Sequence, residues 1–206
     1  MGKKLHYGIL LLAVASVCVA GIDGAYIAVK DKIEVSKKEK ELKSAARVLN
    51  LDDISKLKEK EVKYTENGVE CTLSYYENEE NHAVAVKGSS QGFGGKVEAI
   101  VGWSHDLNNI LGVAIAAPNE TPGFGDNVNQ VLSENTWYNL LTGSMKNEEG
   151  KLPWFQEQFS QKSLSGIALK KNNGEIDGIT GATITSNAAV EAVLNSHELA
   201  KNTLNK

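Results

Sequence analysis

The sequence is short of cysteine, of histidine and of any excess of positive charge, and each shortage removes a class of function. Its 206 residues include 2 cysteines, Cys18 and Cys71. Two thiols are too few to ligate an iron-sulfur cluster or a structural zinc within one chain, so redox chemistry here needs an organic cofactor. Cys18 lies in an apolar run and Cys71 in a polar stretch, and the two read as free thiols rather than a bridge. A formal net charge of -4, with lysines interspersed among carboxylates, leaves no basic face for nucleic acid. The 4 histidines, His6, His82, His105 and His197, fall in unrelated segments and read as ordinary surface or packing residues. No general-base constellation, and so no catalytic residue for independent turnover, can be assigned, nor any metal site. A nicotinamide fingerprint is missing too, because Gly92-Phe93-Gly94-Gly95 lacks the required glycine spacing.

What is present begins with an apolar N-terminus. Residues 7–22 carry no charge and are dominated by Leu, Val, Ile and Ala. At about 1.5 Å per residue this run reaches roughly 24 Å, short of a hydrocarbon core of roughly 30 Å. Extending the helix over 5–29 supplies the length and places Asp23 inside the hydrocarbon, whereas a span ending at Ile22 leaves Asp23 at the interface. Both readings stay open. A cleaved signal peptide is the rival, and retention is favoured because apolar character resumes over 25–29. Lys3 and Lys4 compete with Lys30, Lys32, Lys37, Lys38 and Lys40, so charge alone leaves the orientation open.

The remaining length suits one core of ordinary size. The expected organisation is an N-terminal tail and transmembrane helix over 1–29, a Lys/Glu-rich stalk helix over 30–60, and a soluble domain over 61–206. In that domain 69–76, 82–87, 96–103 and 109–117 are short, rich in β-formers and separated by Gly, Asn and Ser, which predicts antiparallel strands. Residues 128–141 show a weak helical pattern, and 152–159 place Trp154, Phe155 and Phe159 on one helical face as core. Lys171-Asn172-Asn173-Gly174 predicts a hairpin between strands 166–170 and 175–179. A last helix, capped by Thr185 or Ser186, turns Ala189, Val190, Val193 and Leu194 inward. The loop before it, Thr180-Gly181-Ala182-Thr183, then sits at a helix N-terminus. Backbone N–H groups and the helix dipole favour a phosphate there, and Gly181 and Ala182 let it come close.

Two stretches make this specific. Asp177-Gly178-Ile179-Thr180-Gly181-Ala182-Thr183-Ile184-Thr185-Ser186 resembles the flavinylation motif shared by the G subunit of Rnf-type complexes and the C subunit of sodium-pumping NADH:quinone oxidoreductase. Glu120-Thr121-Pro122-Gly123-Phe124-Gly125 is similar to that family's E-T-P-G-L-G loop, with Phe124 in place of Leu. Two motifs in the expected order leave little room for chance. Likeness also runs through Gly92-Phe93-Gly94-Gly95, where the family tends to have Tyr for Phe93, and through Trp154-Phe155 with Gln158 and Phe159.

The resemblance implies an α+β fold, an antiparallel-sheet FMN-binding domain with flanking helices behind one transmembrane helix. It implies FMN held covalently, as a phosphoester on Thr183, with Thr185 as the decoy. Asp177, Thr180, Gly181, Ala182, Ile184 and Thr185 would bind the cofactor from one motif, and Glu120, Thr121, Gly123 and Phe124 from the other. Asp177 would serve recognition by a separate flavin transferase. The implied role is electron relay in a membrane complex that couples ferredoxin and NAD chemistry to ion movement, beside membrane and iron-sulfur partner subunits. The implied location is the cytoplasmic (inner) membrane, with the domain on its non-cytoplasmic face. The C subunit of the quinone oxidoreductase is the nearest rival, and the compact length favours the Rnf reading. A membrane-tethered flavin-binding module without enzymatic role is the rival from another class.

Overall fold

The computed structural model describes residues 2–51, 53–66, 69–117, 119–133, 137–144 and 151–204. The chain divides into two units, Met1–Leu42 and Lys43–Lys206. The first is helical throughout its described residues, as the start of helix α1, Gly2–Val48. From Tyr7 to Lys40 every side chain on it is exposed, including Leu11, Leu12, Val17, Ile22 and Ile27. The uncharged run 7–22 within it is costly to expose to water and at home in lipid. The helix is long and apolar enough to cross a membrane. Cys18 and Cys71 are both free thiols.

The second unit is built on a five-stranded antiparallel meander in the order β1-β2-β3-β4-β5. Its strands are β1 Leu57–Glu66, β2 Val69–Asn78, β3 Val84–Gln91, β4 Lys96–Trp103 and β5 Ile110–Ala116. Alternation decides which side each strand buries. Val97, Ala99, Val101 and Trp103 of β4 point to one face and are fully buried. Helix α4, Thr183–Leu204, covers that face and packs closely on β3 and β4. Gly88 of β3 allows the contact, since a Cβ there would lie 2.6 Å from Ser196 N and would also strike the Ala192 carbonyl. The Trp103 indole N–H donates to Ser196 Oγ at 3.2 Å, which satisfies the one polar atom of a buried Trp. On the opposite face, Gly102 and Gly112 are register partners, and beneath both lies the Val48 backbone. Two adjacent glycines thus give the last turn of α1 a flat seat, where Ala45, Ala46, Val48 and Leu49 are buried.

Between sheet and α4 the chain makes short elements. These are a 3-10 turn Gly125–Asn129, α2 Trp137–Thr142, α3 Trp154–Glu157, and 3-10 turns Leu164–Gly166 and Lys170–Asn172. Phe155 and Phe159 are fully buried edge to face, with ring centroids 5.6 Å apart, so this aromatic face is core. Gln156 is buried between them in sequence. Its amide donates to the Ile115 and Val128 carbonyls and to Asn129 Oδ1, and its Oε1 accepts from Arg47.

Four expectations need correction. The stalk helix stops at Val48, and residues 57–60 belong to β1, a strand whose Lys/Glu alternation resembles a solvated helix. Residues 128–141 are not one helix: Asn129 closes a 3-10 turn, α2 starts at Trp137, and residues 134–136 lie outside the described residues. The hairpin at 166–179 is replaced by two 3-10 turns and an isolated parallel bridge, Leu169 to Ile176. Asn173 adopts the left-handed conformation, φ 63°, yet the chain around it coils rather than doubling back as paired strands. Finally, α4 starts at Thr183, so Thr185 and Ser186 are inside its first turn rather than capping it.

Candidate flavin site

The site forms where three backbone segments meet. The β3–β4 hairpin turns at Gly92-Phe93-Gly94-Gly95, closed by a Gly92 N–H to Gly95 carbonyl bond of 2.8 Å. This turn rests directly on Asn119-Glu120. A Cβ on Gly95 would lie 2.8 Å from Asn119 Cβ, and side chains on Gly92 or Gly94 would strike Glu120 Oε1 or the Asn119 carbonyl. The third segment is the start of α4.

Glu120 ties the three together. Its side chain is buried, Oε1 accepts the Gly94 N–H at 3.1 Å, and Oε2 accepts the Thr185 hydroxyl at 2.6 Å. Gly125 completes the fit, because a Cβ there would lie 2.5 Å from Glu120 Oε2 and 2.8 Å from Thr185 Oγ1. Gly123 takes φ +76°, which lets the Thr121 to Gly125 turn close. Gly181 takes φ +78°, and the Phe124 ring lies over it, 2.9 Å from where a Cβ would be.

The four hydroxyls of the loop divide by environment. Ser186 is buried, accepts from the Ile179 N–H and donates to the Ala182 carbonyl, both at 2.9 Å. Thr185 is buried on Glu120. Thr180 and Thr183 differ from both: Thr183 is exposed, and among the described residues its hydroxyl has no hydrogen-bond partner. Thr183 is the first residue of α4, where backbone N–H groups lack partners within the helix.

These segments border an open pocket of about 430 Å³, lined by Phe93, Glu120, Thr121, Phe124, Gly125 and the run 181–185. Of the residues expected to bind a cofactor, Glu120, Thr121, Phe124, Gly181, Ala182, Thr183, Ile184 and Thr185 line it. Gly123, Thr180 and Asp177 lie outside the lining. Asp177 is exposed and pairs with Lys170 Nζ at 2.7 Å, while its backbone exchanges two hydrogen bonds with the Gln158 amide. Phe93 and Gly125 are lining residues outside the expected set. The sequence signal for Phe93 is an aromatic among turn glycines. His82 and His105, read as unrelated, approach with ring centroids 5.8 Å apart, and His82 Nδ1 bonds Glu77 Oε1 at 2.8 Å, away from this pocket.

The pocket fits a phosphate-bearing planar heterocycle. Its volume is that of a small-molecule site, a helix N-terminus opens on one end, and Phe93, Phe124 and Ile184 supply apolar surface. Comparison with known proteins agrees. The G subunit of the ion-translocating oxidoreductase complex of Pseudoalteromonas atlantica is 34% identical over 55% of this chain, an alignment spanning 46% of that protein. Its counterpart in Pasteurella multocida is 27% identical over 93% of this chain and 90% of its own length. The crystal structure of Shewanella oneidensis NqrC shares the fold, with a TM-score of 0.53 at 13% identity over 80% of this chain and 92% of that one. The family profile described as FMN-binding domain matches residues 92–198, from the hairpin turn at Gly92 through most of α4, and the chain belongs to that family.

Proposed function

We propose that this chain is the G-type, flavin-carrying electron-transfer subunit of a membrane-bound, Rnf-type ion-translocating oxidoreductase, with FMN joined through its phosphate to Thr183. The observation that carries the assignment of Thr183 is the division of hydroxyls. Thr185 and Ser186 are buried and committed to Glu120 and Ala182, whereas Thr183 is exposed on the pocket wall at the start of α4. The N–H groups of that first turn attract the phosphate, and Gly181 and Ala182 keep the approach open. Phe124, seated over Gly181, and Ile184 border the space for the ring. Glu120 fixes the loop and the helix relative to each other, so the attachment point and the ring space keep one geometry.

FMN exchanges one or two electrons, which suits a relay between pair and single-electron carriers. A covalent link keeps such a cofactor in a pocket that does not enclose it. Asp177, exposed and held through its backbone by Gln158, is suited to recognition by a flavin transferase. The partners in this reading are the other membrane and iron-sulfur subunits of the complex, which pass electrons between ferredoxin and NAD. The N-terminal part of α1 anchors the chain in the cytoplasmic membrane, with the domain on the non-cytoplasmic face.

The test is intact mass and in-gel flavin fluorescence of denatured protein co-expressed with its flavin transferase. Wild type should gain the mass of FMN less one water, and Thr183→Val should abolish that gain. An adduct that survives Thr183→Val removes Thr183 from this role.

A further inference from the structure

The tip of the β3–β4 hairpin is an unusual place for an aromatic side chain. Gln91 and Lys96 are the last paired residues, and Phe93 and Gly94 form the end of the turn between them. Turn tips favour Gly, Asn, Asp, Ser or Pro for their backbone freedom or local hydrogen bonds. Phenylalanine offers neither, and its three glycine neighbours are packed too tightly on Asn119-Glu120 to accept any side chain.

Phe93 is therefore the one side chain this turn can carry, and it is 69% exposed. It packs on no other aromatic ring among the described residues. Two further large apolar residues of the same pocket, Phe124 and Ile184, are 53% and 54% exposed. Three such side chains from three separate segments around one cavity form the kind of patch that marks a binding site. Each backbone beneath them is fixed. Phe93 stands on the Glu120 bond to Gly94, Phe124 lies over Gly181, and Ile184 is in the first turn of α4.

We propose that Phe93 is a positioning residue for the flavin ring, laid against it from the hairpin side while Phe124 and Ile184 border the loop and helix side. This rests on the assignment of the pocket to FMN attached at Thr183. An aromatic face against the ring fixes its tilt by offset or edge contact. It also shields one side from water, so the side left open is the one available to a partner.

The test uses the full-length chain co-expressed with its flavin transferase, as wild type, Phe93→Trp, Phe93→Ala and, as control, Leu141→Trp, a position 85% exposed outside the pocket lining. Indole in contact with a flavin quenches its emission by electron transfer, so the readout is flavin emission before and after denaturation at matched adduct content by intact mass. Phe93→Trp should keep the adduct, lose emission severalfold when folded and regain it when denatured, while Leu141→Trp follows wild type. Phe93→Ala should keep the adduct and make the flavin more open to iodide quenching. Adduct-bearing Phe93→Trp protein that emits like wild type when folded overturns the proposal. A wild-type chain without adduct overturns the attachment reading and, with it, this one.

Discussion

The hydroxyl of Thr185 donates to Glu120 Oε2 at 2.6 Å, joining residues 65 apart in sequence inside the domain. Replacing Thr185 with Val removes a donor from a buried carboxylate and leaves it the Gly94 N–H. The expected cost is about 1–3 kcal/mol, the range for a buried polar group that loses a partner. Urea denaturation should show a lower midpoint for Thr185→Val and a near wild-type value for Thr185→Ser. Folded Thr185→Val protein should still carry the proposed flavin adduct, because the proposed acceptor, Thr183, is two residues earlier.

Gly88 is where β3 meets α4 without an intervening side chain. Gly88→Ala puts a methyl group against the Ala192 carbonyl and 2.6 Å from Ser196 N, both backbone atoms that cannot step aside alone. Lifting the helix also disturbs the Trp103 to Ser196 hydrogen bond. Overpacking of this kind costs about 1–3 kcal/mol. A drop in Tm together with changed near-ultraviolet circular dichroism from Trp103 is expected, and an unchanged Tm would mean that α4 sits farther from the sheet.

Asp177 separates stability from recognition. Its pair with Lys170 is exposed on both sides, which places its worth at about 0–1 kcal/mol. Asp177→Asn preserves shape and should leave the thermal transition nearly unmoved. If Asp177 is read by the transferase, the adduct fraction should fall clearly in the same protein. Equal adduct content in both would restrict Asp177 to holding the turn.

Stability should fall on acidification in two separate steps. Burial holds the His197 imidazole below its usual range, although a hydrogen bond to the Leu107 backbone pulls the other way. The unfolded state, with an imidazole pKa of about 6.5, then binds more protons than the folded one near that pH, so stability falls as pH drops through it. His197→Gln should flatten the slope there. Glu77 is held below the usual carboxylate range by hydrogen bonds from Lys60 and then His82. Its contribution is present above the unfolded glutamate pKa of about 4.3 and is lost as pH falls through the lower folded value. Glu77→Gln should shrink that second step, which Glu98, Asp53 and Asp106 share because they too are held below the usual carboxylate range, and leave the first. Chemical denaturation between neutral pH and the acid limit of folding distinguishes the two variants.

The strands most legible in the sequence are those with one buried face. Val97, Ala99 and Val101 alternate with Glu98 and Ile100, and the expected span 96–103 is the observed β4. Strand β1 escapes such a reading because it is an edge strand, with Lys58, Glu59, Lys60, Glu61 and Lys63 all exposed and Val62 and Tyr64 half-buried against the core. Its pairing with β2 over the full length is a tertiary fact without a local signal. The start of α4 reads too late from sequence because Thr185 and Ser186 have the chemistry of caps, whereas Ser186 bonds back to the Ala182 carbonyl four residues earlier and Thr185 bonds Glu120, a partner set by packing. The pocket is legible through its two motifs. Phe93 stands out only as part of a glycine knot, since its exposure beside Phe124 and Ile184 depends on the hairpin reaching the loop that follows β5.

The two edges of the sheet are closed by different means. Along β5 the chain returns, so that Ile110 exchanges backbone hydrogen bonds with Gln161 and Lys162, and Asn109 bridges to Ser163. Along β1 the outer edge carries alternating lysine and glutamate. A sixth strand from another molecule would have to displace the first or match the charges of the second. Partners must then recognise this domain through side chains and loops, and crowded copies of it in one membrane have little means of growing into a continuous sheet.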